Sequence, residues 1–191
     1  YDREKVLDAA MNAFWNKGYE ATSVSDLVAI TGLHKGSLYQ AFGDKHSLFC
    51  SALEHYFETI YQFKSSILQS APTPVTGLKL GCQQMLFPDS AAESDLPQGC
   101  MAINTLAELA PNDPEVERII ENHFQKSAAI IAKTLAEAEK IGEMKLCHSP
   151  EITATMLMTF LAGLSIVTKG LISKEQAKNL LNQQFILLGL K

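Results

Sequence analysis

No two cysteines in this 191-residue sequence stand close enough for a CxxC pair. Of the four, Cys50, Cys82, Cys100 and Cys147, none has a histidine at zinc-finger spacing. A sequence-encoded metal module is therefore not expected, and no cofactor motif is present. A chain of this length needs no disulfide staples, so reduced thiols in a cytoplasmic setting fit best. Basic residues are also in short supply. Sixteen Lys and Arg against 21 Asp and Glu leave a net charge of −5, which argues against indiscriminate coating of nucleic acid but leaves room for a local basic surface.

An apolar leader is missing. Tyr1-Asp2-Arg3-Glu4-Lys5 is charged where a secretory signal is apolar, and the absence of an initial Met implies that the natural N-terminus lies upstream. Only one uncharged apolar run is conspicuous, residues 152–168. It carries Thr153, Thr155, Thr159 and Ser165, falls short of the roughly 20 residues of a membrane span, and has no companion. It reads as a helix buried on two sides, with no membrane partner. Also missing are a strand-like alternation, a P-loop, a Ser/His/Asp arrangement and a paired-carboxylate site, so no enzyme chemistry is legible. Cys147-His148 has no third or fourth ligand in reach, and His55 and His123 fall at surface-compatible helix positions and read as solvated.

What is there is helix. Hydrophobic residues make up 47% and charged residues 19%, the balance of a folded soluble chain. Val6, Ala10, Ala13 and Phe14 form one stripe of a first helix, closed by Lys17-Gly18. Ser23 with Asp26 gives an S-x-x-D start to a second, whose buried side is Val24, Leu27 and Val28. Thr31-Gly32-Leu33 turns the chain into a third, Lys35 to Phe42. Asp44 caps a long fourth helix with the stripe Phe49, Leu53, Tyr56, Phe57, Ile60 and Phe63. Ala71-Pro72-Thr73-Pro74 interrupts it, a fifth helix reaches about Leu86, and 87–98 reads as a polar loop. A sixth follows Gly99-Cys100 and stops at Ala110-Pro111. Asp113-Pro114-Glu115 opens a seventh that runs to Ile141-Gly142. Ser149-Pro150-Glu151 and Ser173-Lys174-Glu175 open the eighth and ninth. The expectation is all-α, with about nine helices. Residues 1–47 are expected to form a three-helix helix-turn-helix head, and residues 48–191 a helical bundle, for which the resemblance described below implies ligand binding and dimerisation.

A trihelical head of this kind places its third helix in the DNA major groove. Leu27, Leu33, Leu38 and Phe42 lock the second and third helices together, and Gly32 supplies the turn. Lys35, Gly36, Ser37, Tyr39 and Gln40 are left facing outward. Gly36 permits close backbone approach, Ser37 and Gln40 can bond base edges, and Tyr39 can meet a phosphate or a thymine methyl. Lys45, at the start of the fourth helix, can hold a phosphate together with free backbone N–H groups. Ser23, Ser25 and His34 complete the candidate DNA-facing set.

The order Ala13-Phe14, Gly18-Tyr19, Ala21-Thr22-Ser23-Val24, Gly32-Leu33, Lys35-Gly36-Ser37-Leu38-Tyr39, Phe42, Lys45 and Leu48 closely resembles the N-terminal signature of the TetR (tetracycline-repressor) family. The resemblance covers about residues 3–53; beyond that only the helical layout is similar. It implies a two-domain all-α homodimer that binds a palindromic operator in double-stranded DNA, usually as a repressor, and is released by a small-molecule effector. Three departures stand out. Val28 and Thr31 occupy positions where the family commonly has Ala, and His34 replaces the usual Ser or Thr cap. Residues 1–47 also hold five Lys and Arg against six Asp and Glu, so Lys17, Lys35 and Lys45 must do the phosphate work locally.

In such a family the last two helices pair with their copies. Ala154, Ala162 and Gly163 on the eighth helix would allow close approach, and the expected interface comprises Met158, Leu161, Leu164, Leu181, Phe185 and Leu188. Met85, Phe87, Cys100, Met101, Asn104, Phe124, Met156 and Phe160 are the candidate effector contacts, since Met and aromatic side chains line adaptable apolar sites. Cys100, expected in the first turn of the sixth helix, raises an alternative: a regulator that senses oxidants or electrophiles through a thiolate favoured by the helix dipole. A further alternative is an all-α small-molecule-binding protein or enzyme without DNA function.

Overall fold

A computed structural model describes residues 1–87 and 99–190, so most of the expected polar loop, at 88–98, lies outside the described residues. Within them the chain forms nine α-helices, one short 3-10 turn and no strand. The helices are α1 (Arg3–Lys17), α2 (Val24–Thr31), α3 (Lys35–Phe42), α4 (Lys45–Ser70), α5 (Pro74–Leu86), α6 (Met101–Glu108), α7 (Pro114–Lys140), α8 (Pro150–Val167) and α9 (Lys174–Leu187), with the 3-10 turn at Ala110–Asn112.

The helix ends obey local chemistry. Asp2 accepts from the Glu4 and Lys5 N–H groups, and Thr73 and Ser149 cap α5 and α8. Ser23 with Asp26 and Ser173 with Gln176 make reciprocal capping boxes, satisfying N–H groups that no helix turn can reach. Asp44 Oδ1 accepts the Ser47 N–H at 2.7 Å and so opens α4. Gly18 and Gly32 end α1 and α2 at φ +83° and +69°, where a side chain would be strained.

The helices divide into two compact units. The first holds Tyr1–Ile60 and Cys100–His123; the remaining described residues form the second. In the first, Val6, Ala10 and Phe14 of α1 meet Leu27, Leu38 and Phe42 of α2 and α3 around Phe49, Leu53 and Tyr56 of α4. Phe49 is the hub: Phe14 and Tyr19 both meet its ring at 5.0 Å. Met101, Val116 and Ile119 close this core from α6 and α7. The second unit is built on Leu78, Leu135, Leu157, Leu164, Leu181 and Phe185.

Several expectations change in detail. Phe63 continues the α4 stripe but is exposed. His55 bonds Asp8 at 2.7 Å and His123 stacks on Phe57 at 3.9 Å, so neither is simply solvated. The segment read as buried on two sides is covered on one only. Ala154, Leu157, Leu164 and Ser165 of α8 face the second core, while Ile152, Met156 and Ile166 are exposed. By length and composition, α8 is the one helix among the described residues that could cross a membrane.

Candidate nucleic-acid interface

Leu38 and Phe42 are buried, and this fixes which face of α3 looks outward. Lys35, Gly36, Ser37 and Gln40 are exposed and Tyr39 is half-buried, with the Lys35 ammonium 5.6 Å from its ring centroid. His34 occupies the N-cap of α3 without a side-chain cap bond. The first backbone N–H groups of the helix, which no preceding turn can satisfy, are therefore not capped by that side chain.

Gly36 is informative. Its backbone is not in the positive-φ region, and a Cβ added there would meet nothing within 4 Å. A glycine inside a helix costs about 1 kcal/mol relative to alanine. Among the described residues, neither backbone conformation nor packing requires a glycine there.

Lys45 is half-buried, with its ammonium 4.2 Å above the Tyr19 ring. Ser25 is exposed on α2. Two expected contributors are otherwise engaged. Ser23 Oγ accepts the Asp26 N–H and donates to Asp26 Oδ2 at 2.8 Å. Lys17 pairs with the same carboxylate at 3.2 Å, so its charge is offset instead of free for a phosphate. The hydrogen bonds from the Ser23 backbone, the Ser23 hydroxyl and Lys17 hold the Asp26 carboxyl down at about 2.

One contributor escaped the sequence reading. Glu108, at the end of α6, accepts the Tyr19 N–H at 3.2 Å and the Glu20 N–H at 3.0 Å, fastening the turn between α1 and α2. A Cβ at Gly18 would lie 3.0 Å from that carboxylate. Nothing local to Glu108 signals this, because its partners are 88 and 89 residues away.

The candidate effector residues fall in both units. Cys100, Met101 and Asn104 belong to the first, where Met101 is core and Asn104 half-buried. Cys100 is the N-cap of α6 and not a member of its first turn, with Sγ 3.4 Å from the Tyr56 hydroxyl. Met85, Phe87, Phe124, Met156 and Phe160 belong to the second unit. Phe87 is buried, Met85 and Phe160 half-buried, Phe124 and Met156 exposed. Of the expected interface residues, Leu164, Leu181, Phe185 and Leu188 are buried in the chain's own second core, and Met158 and Leu161 are half-buried. The outward line of α8 is instead Ile152, Met156, Thr159, Gly163 and Ile166, and that of α9 includes Leu180 and Leu187.

Residues 6–52 match the bacterial regulatory proteins of the tetR family, and residues 85–182 match the tetracyclin repressor-like C-terminal domain. The chain is 28% identical over 166 residues to the HTH-type transcriptional repressor ComR of Escherichia coli (strain K12), spanning 87% of this chain and 79% of that one. It is 24% identical over 161 residues to the HTH-type transcriptional repressor DhaR of Mycobacterium sp. (strain GP1), spanning 84% and 79%. Among solved structures, a cysteine mutant of the TetR family transcriptional regulator CifR, complexed with 26bp double-strand operator DNA, superposes with a TM-score of 0.84 at 25% identity over 98% and 97% of the two chains. Reduced E. coli NemR shares the fold with a TM-score of 0.88 at 19% identity, over 99% and 97%.

Proposed function

The chain belongs to the tetR family of bacterial regulatory proteins, and from that premise we propose a cytoplasmic repressor that reads a palindromic operator with α3. Membership makes it a soluble DNA-binding transcription regulator and not an enzyme. The observation that carries the reading of α3 is Gly36, a helical glycine without an internal reason, set among Lys35, Ser37, Tyr39 and Gln40. Close approach of a sugar-phosphate backbone gives it one. The reading head is residues 1–47, and residues 48–191 carry effector binding and dimerisation.

Gly36→Ala separates stability from function. It should raise folding stability by about 0.5–1 kcal/mol, because a helix position gains a better former, while lowering operator affinity, because the methyl stands where DNA must approach. Operator selection from randomised duplexes at several salt concentrations supplies the companion test. Lys45→Ala should weaken binding to all sequences and lower the salt slope by roughly one unit. Gln40→Ala should relax preference at one base pair per half-site by about 1–3 kcal/mol. A wild-type protein that binds DNA without sequence preference would overturn the reading.

Two copies pair through the outward apolar lines of α8 and α9, which matches protein two-fold symmetry to an operator palindrome. An apolar or aromatic effector held in the second unit shifts the population toward a form unable to engage both half-sites. A coupling of about 1–3 kcal/mol lowers DNA affinity roughly 5–150-fold. Titrating such compounds into the protein–DNA complex tests this; binding that leaves DNA affinity unchanged removes the claim.

A further inference from the structure

Within the first unit, the starts of α4 and α7 bring four potential metal-ligating side chains together. His46 and Cys50 lie one turn apart on α4; Asp113 and Glu115 flank the first residue of α7. His46 Nε2 is 2.6 Å from Asp113 Oδ2. At that distance a ring N–H at Nε2 donates to the carboxylate. The other ring nitrogen, Nδ1, lies 3.9 Å from Glu115 Oε2, and Cys50 Sγ lies 3.8 Å from Nδ1 and 3.9 Å from Nε2. A His46 ring nitrogen, the Cys50 sulfur and a Glu115 oxygen all lie within 4.8 Å of one another.

We propose that His46 Nδ1, Cys50 Sγ and the Glu115 carboxylate form a binding site for a borderline-soft divalent transition metal, with Zn²⁺ the cation that fits best. Metal–sulfur bonds of about 2.3 Å and metal–nitrogen or –oxygen bonds of about 2.0–2.2 Å put tetrahedral ligands about 3.5 Å apart, a short side-chain adjustment from the spacing here. One thiolate, one imidazole and one carboxylate is a mixed donor set of the kind that suits zinc. Asp113 is a positioning residue: by holding the proton on Nε2 it keeps Nδ1 free and aimed at the metal. Its other oxygen accepts the Val116 N–H at 3.1 Å, which anchors it to α7.

The surroundings favour a cation. Cys50 is buried, and it lies in the negative field of the Glu115, Asp113, Glu54 and Asp44 carboxylates. Glu115 is exposed and His46 half-buried, so the metal enters from their side and Cys50 forms the inner wall. On binding, the thiol proton passes to solvent and the sulfur bonds the metal as thiolate. A fourth position is left for water. The sequence spacings that pointed away from a metal module could not reveal this site, because Glu115 and the positioning Asp113 come from α7, about 67 residues further along the chain.

The test is to strip the full-length chain with a chelator, titrate Zn²⁺ against a chromophoric competitor, and record the Co²⁺ spectrum. The expected result is one equivalent per chain, with a thiolate-to-cobalt charge-transfer band that Cys50→Ser abolishes. Glu115→Gln, at an exposed position, should weaken Zn²⁺ binding without changing helix content. Asp113→Asn should weaken it about 10–100-fold, because the amide donates to Nε2 and drives the ring proton onto Nδ1, while asparagine still caps α7. Cys147→Ser, which removes the thiol beside His148, should change nothing. Absence of the band in the wild type, its persistence in Cys50→Ser, or unaltered affinity in both Asp113→Asn and Glu115→Gln would overturn the assignment. If Cys50→Ser fails to fold, the last two variants decide it.

Discussion

Phe49→Ala should lower folding stability by about 3–5 kcal/mol, a large share of the roughly 5–15 kcal/mol that holds an ordinary domain together. The ring is 1% exposed and touches the aromatic rings of α1 and of the turn that follows it, so its removal leaves a cavity in the core. On the proposed reading DNA affinity should fall with it, because the core around Phe49 also seats Leu38 and Phe42 of α3. Urea unfolding followed by fluorescence of Trp15, the single tryptophan, reports on this unit directly, since its ring lies 5.1 Å from Tyr56. A loss under about 1 kcal/mol would show that Phe49 is not the hub.

Ile166→Asp or Leu187→Asp should convert the dimer to single chains and reduce operator affinity by about 10²–10⁴-fold, the advantage that engaging two half-sites together confers. Both side chains are exposed in the single chain, at 50% and 74%, so a carboxylate there costs an isolated copy little but would be desolvated against a partner. Light scattering for mass and circular dichroism for helix content separate dissociation from unfolding. A charged variant that still measures as two chains and binds DNA normally would move the interface elsewhere. Charges at Leu164 or Phe185 would not serve, because those side chains are buried within the chain and would report on folding.

Helix number, order and most caps were legible in the sequence because their causes are local. Ser23 and Asp26 are three residues apart, and Leu38 and Phe42 lie on one face, so spacing alone identifies the box and the buried side. The eighth and ninth helices show where periodicity stops. α8 is apolar nearly all round, and no period says which of two apolar faces meets its own core and which meets a partner. Leu181 and Phe185 have the clearest stripe on α9 for the reason that they are core. Lys17 was read as free charge because its partner, Asp26, is on the next helix. His46, Asp113 and Glu108 act through contacts 67 to 89 residues apart, and a local pattern contains no trace of them.

The carboxylate of Glu108 bears on how such a regulator could be rewired. Transplanting residues 1–47 alone onto another body would leave the Tyr19 and Glu20 amides facing a foreign side chain. It would also leave a Gly18 whose bare α-carbon had accommodated a group no longer present. A chimaera cut there joins a head to a seat shaped for a different head. A graft that carries residues 1–60 together with 100–123, the two pieces of the first unit, would take Glu108 along with the head and keep the turn before α2 fastened.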